Sequence, residues 1–229
     1  MRSNRTLKQK NACLAGIMSA CILLGACSSN VVVSPPATFP EPLVEPLPLR
    51  LGVHYPEEFK NYTYEQPPKQ TSKKKKKKKR SKFRVAIGEA QTQLMRTIFG
   101  ALFTSVKTVD ADALTTPSDE FDLLLVPEVL EFQFSTPRVT KVNVYEIWIK
   151  YQFSLQAADG EEITTWIVPV YGKTPTKFLK SKDAAVNLAT LVALRDCGAA
   201  FITGFPRVPE IRDWLAKDFT ANTATETAR

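Results

Sequence analysis

The stretch VNVYEIWIKYQFSLQAADGEEITTWIVPVYG, residues 142–172, decides the fold. In its first half Tyr145, Ile147, Ile149, Tyr151, Phe153 and Leu155 recur at every second position, with Glu146, Lys150, Gln152 and Ser154 between them. A period of two sends successive side chains to opposite sides of a strand, so one face is apolar and the other wet. Asp159-Gly160 is a hairpin dipeptide, and residues 163–172 are expected to return as the antiparallel partner. A sheet with one apolar face must be covered by a second layer. The aromatic row is therefore read as core rather than as a ligand platform.

Two helices are expected to supply that layer. Residues 89–103 place Leu94, Met95, Ile98, Phe99, Leu102 and Phe103 at helical spacing, and Glu89 in the first turn suits the positive end of the helix dipole. A second helix starts at Ser181 with Asp183 in its first turn, and Ala184, Leu188, Leu191, Val192, Leu194, Ala199 and Ile202 make its broad apolar face. Further strands are read at 47–53, 83–88, 105–110 and 121–134, and a short helix at 208–217. The expected fold is α+β, a two-layer sandwich of a mostly antiparallel sheet with the two main helices packed on one face. It spans residues 47–219, with a frayed Thr- and Ala-rich tail at 220–229.

Residues 1–26 carry Arg2, Arg5, Lys8 and Lys10, then an apolar run from Ala12 to Leu24, with no acidic residue. A basic head and about a dozen apolar residues form a secretory signal, too short to span a bilayer. The run ends in Leu24-Gly25-Ala26-Cys27, which resembles a bacterial lipobox. The resemblance implies cleavage before Cys27 and a covalent diacylglycerol and amide-linked acyl chain on it, with no other cofactor. Ser28 after the cysteine implies sorting to the outer membrane, the body facing the periplasm. Residues 27–46, with prolines at 35, 36, 40, 42 and 46, read as an extended tether that could reach ~60 Å at ~3 Å per residue.

Cleavage also removes Cys13 and Cys21, and lipidation takes Cys27, so Cys197 is left with no disulfide partner. The formal charge of +8 divides unevenly. The signal holds +4, residues 69–84 hold eleven basic residues and no acid, and everything else sums to −7. Lys73, Lys74, Lys75, Lys76, Lys77, Lys78, Lys79, Arg80 and Lys82 lie in one loop at 66–82 that cannot pack against itself. Behind a secretory signal, the expected partner of such a run is not nucleic acid. It is an anionic lipid, lipopolysaccharide or polysaccharide surface, with a tolerated low-complexity insertion as the bland reading.

The order of elements over residues 47–205 resembles the N-terminal-like module of TolB, found in accessory lipoproteins of envelope assembly and secretion. The matching parts are LPLRLGV, GEAQTQLMRTIFGALF leading to SVKTVD, FDLLLVPEV and DAAVNLATLVAL. That resemblance implies an interaction module docking an envelope protein complex, and it carries no catalytic residues. No catalytic or metal site is expected from the residues either. His54 is the sole imidazole, no phosphate loop, HExxH or CxxC occurs, and the pairs Glu57-Glu58, Asp119-Glu120 and Glu161-Glu162 lie in polar loops. The expected function is a non-catalytic scaffold or accessory component of an envelope machine. A periplasmic lipid- or glycan-binding carrier is the second reading, and a periplasmic hydrolase the third.

Overall fold

A computed structural model of the chain describes residues 30–67, 82–176 and 181–217. Strands run over Asn30–Val33 (β1), Leu47–Val53 (β2), Thr63–Glu65 (β3), Lys82–Ala86 (β4), Phe103–Thr108 (β5), Leu123–Ser135 (β6), Val144–Ala157 (β7) and Glu162–Pro175 (β8). Helices run over Glu57–Lys60 (α1), Gly88–Leu102 (α2), Pro137–Thr140 (α3) and Lys182–Gly204 (α4), and residues 209–217 are helical as well.

The fold is α+β. Its main sheet has the order β5-β2-β6-β7-β8. The pairs β6–β7 and β7–β8 are antiparallel, as the alternation at 142–172 requires, but β2 is parallel to both β5 and β6. The expectation of a mostly antiparallel sheet is corrected to a mixed one. The cause is the long excursion from β2 through α2 to β5, which brings the chain back in its original direction. Period-two patterning reports a strand and its faces, not its direction.

Tyr145, Ile147, Ile149, Tyr151, Phe153 and Leu155 are all buried on the covered face. Both long helices press on it. The Tyr151 hydroxyl donates to Oε1 of Gln91 in α2 at 3.0 Å, and Gln91 Nε2 donates to the Phe59 carbonyl at 2.6 Å, so this buried polar trio is satisfied. Burial pushes the Tyr151 hydroxyl far up, and it acts as a fixed neutral donor. Phe201 of α4 meets Phe153 and Phe99 with ring centres 4.9 and 5.0 Å apart.

The face that α4 buries overlaps the expected one only in part: Leu194 is buried as expected. Ala185, Ala189, Ala193 and Cys197 are buried, whereas Leu188 and Leu191 are half-buried and Val192 is exposed. Small residues hold the line at Ala189 and Ala193 because there the helix lies against backbone, while Val186, Leu194 and Phe201 are buried beside it. A Cβ on Gly172 of β8 would collide with the Ala189 carbonyl oxygen and stand 2.6 Å from the Ala193 nitrogen. Asp196 of the same helix accepts from the Tyr171 N–H at 3.0 Å, blunting the free edge of β8.

A second sheet, β1-β4-β3, covers the remainder of that face, with β3 and β4 antiparallel. Tyr64 stacks on Phe132 at 4.7 Å, and Phe83 packs on Phe134 at 5.0 Å. Strand β1 falls inside the stretch read as a free tether. Val33 is buried and Phe39 and Val44 are partly buried against the core, so this stretch touches the body at those three residues.

Arg50 and Asp122 join the starts of the parallel pair. The Arg50 backbone N–H and Nη2 each donate to the Asp122 carboxylate at 2.7 Å, and Nη1 donates to the Asp119 carbonyl at 2.7 Å. Partial burial pushes the Asp122 carboxyl up, but the Arg50 hydrogen bonds and charge outweigh it and hold it below the usual range. A carboxyl depressed in the folded state stabilises above its unfolded pKa, and that contribution is lost as pH falls through the folded value. Asp122→Asn should cost about 1 kcal/mol at pH 7, kept small because both side chains are partly solvated. In urea unfolding at pH 7 and pH 3, the gap between wild type and variant should close at the lower pH; a pH-independent gap would assign the loss to packing.

Candidate membrane-facing end and surface sites

Cys27, the lysines 73–79, Arg80 and the tail at 220–229 lie outside the described residues. Lys82 is described, exposed at the start of β4. Its neighbour Phe83 fixes where that start lies. Its ring packs on Phe134, near the end of β6, and on Tyr145, near the start of β7, at 5.0 and 6.1 Å. Lys82 and Arg84 therefore belong to the end of the body that carries the β6–β7 turn, residues 136–143. In that turn Arg138, Val139, Lys141 and Val142 are exposed. Burial pushes the Tyr145 hydroxyl up, against the opposing pull of the Arg138 charge close by.

The opposite end has the other sign. The loop 109–122 and the β7–β8 hairpin at 158–162 together hold eight carboxylates and no basic residue. They meet through the Ser118 N–H, which donates to the Ala158 carbonyl at 3.1 Å, and the Ala158 N–H, which donates to the Asp122 carbonyl at 3.1 Å. The loops at the two ends thus differ in sign, two cations and no acid in the β6–β7 turn against eight carboxylates around the β7–β8 hairpin, of which Asp122 pairs with Arg50 and Glu120 with Lys107. Sequence reading found the basic loop at 66–82 but not this polarity, because only the register of β6 with β7 sorts the charges to two ends.

The residues weighed for chemistry are spread apart. His54 Nδ1 lies 3.2 Å from the Val109 carbonyl oxygen. Glu57 pairs with Lys60 at 2.5 Å and Glu120 with Lys107 at 2.6 Å, while Glu162 accepts from the Thr165 hydroxyl at 3.1 Å. These carboxylates are engaged in local surface contacts rather than facing one another across a cleft. Cys197 is wholly buried, which pushes its thiol far up and leaves it an inert packing group. No group of three or more His, Cys, Asp or Glu side chains placed to hold a metal ion occurs among the described residues.

Helix α4 with its following turn, residues 182–207, is long and apolar enough to cross a membrane, but its apolar side is spent on the sheet. The uncovered face of the main sheet holds a shallow cavity of about 340 Å³ between Gln133, Ser135, Glu146, Trp148 and Tyr171. Lys150 Nζ stands 5.0 Å over the Trp148 ring, and the Tyr171 hydroxyl donates to Glu146 at 2.7 Å.

No protein-family model matches the sequence, and no curated protein matches it. Among solved structures the chain is similar to a Xanthomonas campestris protein described with the DUF330 family model, at 12% identity and a TM-score of 0.49, over 75% of this chain and 91% of that one. It is similar to the hypothetical protein CT253 from Chlamydia trachomatis at 10% identity and a TM-score of 0.37, over 69% and 97%. It is also similar to lipoprotein GNA1162 from Neisseria meningitidis at 10% identity and a TM-score of 0.30, over 65% and 97%.

Proposed function

We propose that the chain is an outer-membrane lipoprotein, acylated on Cys27 and facing the periplasm, whose body is a non-catalytic scaffold or accessory component of an envelope secretion or assembly machine. The observation that carries this reading is Leu24-Gly25-Ala26-Cys27 closing an apolar stretch behind a basic head. Strand β1 begins three residues after Cys27, a length of chain that spans at most about 10 Å. The lysine run Lys73–Lys79, with Arg80 and Lys82, then works at a surface it can touch.

A scaffold is favoured over a carrier by the interior. A lipid or glycan held between sheet and helices needs a cavity, and Tyr151, Phe153, Ala189 and Phe201 fill that space without exposure. Two acyl chains anchor stably where one is marginal. In cells given radiolabelled palmitate, the wild-type chain is expected to take up label and fractionate with the outer membrane. Cys27→Ala should lose the label and leave that fraction; label retained by the variant would sink the anchor.

A further inference from the structure

We infer that the β6–β7 turn is a bilayer contact, which seats Val139 and Val142 in the interface of an anionic membrane with Arg138 and Lys141 at its phosphates. The inference rests on the lipid-anchored reading and adds the orientation in which the body is held. Val139 is 51% exposed and Val142 55%, two branched apolar side chains at a loop tip that no other element covers. Each follows a cation in the sequence Arg138-Val139-Thr140-Lys141-Val142, and neither Arg138 nor Lys141 has an ion-pair partner among the described residues. Apolar side chains at the acyl boundary beside long basic side chains reaching phosphate are the requirements of an interfacial contact.

The backbone is prepared for it. A loop that enters the interface must satisfy its N–H groups internally, because hydrocarbon does not. Here the Val139 and Thr140 N–H groups donate to the Thr136 carbonyl at 2.8 and 3.2 Å, and the Lys141 N–H to the Pro137 carbonyl at 3.1 Å. The Val142 N–H donates to the Thr140 hydroxyl at 3.3 Å. Lys141 sits at φ +64°, a left-handed cap that closes α3 and turns the chain back toward β7.

Charge selects the occupant. The turn carries two cations and no acid, Lys82 stands at the same end with Arg84, which pairs with Glu65, and eight carboxylates lie at the far end of the strands, two of them paired with Arg50 and Lys107. An anionic surface attracts the first end and repels the second, and each basic residue close to it strengthens contact roughly five-fold. A protein partner would be met by the same residues, and the test separates the two.

The matured, acylated full chain is reconstituted on vesicles of phosphatidylethanolamine and phosphatidylglycerol containing brominated acyl chains. Val139→Trp is compared with Glu161→Trp, an exposed position on the opposite hairpin, after subtracting the emission of the three native tryptophans. The Trp at 139 is expected to shift to the blue and to be quenched at least about three-fold more than the Trp at 161, with the difference lost in Arg138→Gln/Lys141→Gln. A chain that floats with vesicles yet quenches equally at both positions overturns the contact and leaves the anchor standing. A chain that does not float sinks both. The same excess quenching at 139 on vesicles without phosphatidylglycerol overturns the recognition of an anionic surface.

Discussion

Gly172→Ala is expected to lower the thermal midpoint by roughly 10 °C. The new Cβ would collide with the Ala189 carbonyl oxygen and lie 2.6 Å from the Ala193 nitrogen, both of them backbone atoms of α4. A flexible side chain could turn away, but a helix must be pushed off the sheet as a unit. That movement loosens Ala185, Ala189, Ala193 and Cys197 together. Overpacking a core costs ~1–3 kcal/mol where side chains can yield, so a rigid contact should sit at or above the top of that range. At this size each kcal/mol moves the midpoint by about 2–4 °C. Gly100 is the control of opposite sign. It is helical and exposed, nothing lies within 4 Å of the position a Cβ would take, and Gly100→Ala should stabilise by about 0.5–1 kcal/mol. A Gly172→Ala variant that melts with the wild type would mean that α4 does not lie on the β8 backbone.

The same contact shows why hydropathy traced the buried face of the sheet but only part of that of the helix above it. Tyr145 through Leu155 alternate because each strand residue sees one of two environments, so hydropathy and burial coincide. On α4 they part. Leu188, Leu191 and Val192 outrank alanine in hydropathy, but closeness to backbone selects Ala185, Ala189 and Ala193. Strand β3 was hidden by its length, three residues within a polar, proline-broken run, and it is held by rings of another strand rather than by its own pattern. β1 was hidden among prolines read as a tether. At the surface, the lysine run announced itself by composition, whereas the turn at 136–143 offered only RVTKV, a short mix of cations and valines that gains meaning once its exposure and its distance from the acidic end are known.

Deleting Lys73–Lys79 is expected to weaken binding to an anionic surface about 100-fold at low salt. The deletion removes seven charges and takes the mature chain from +4 to −3. Outside residues 69–84 the mature chain has a net charge of −7, so without the run an anionic surface would repel most of the molecule. Net charge alone would make that repulsion uniform, but screening confines it to ~8–10 Å, and what counts is which charges come within that distance. Each Lys close to an anionic membrane contributes ~1 kcal/mol, so even three of the seven in reach account for the expected loss. The measurement is binding of the acylated chain, carried in neutral detergent micelles, to immobilised lipopolysaccharide, with circular dichroism to show that the fold is kept. The gap between wild type and deletion should shrink several-fold in about 0.5 M salt, where the screening length falls to a few ångströms. Unaltered affinity at low salt would make the run a tolerated insertion. Loss of affinity with an unchanged salt dependence would place the contact elsewhere on the body.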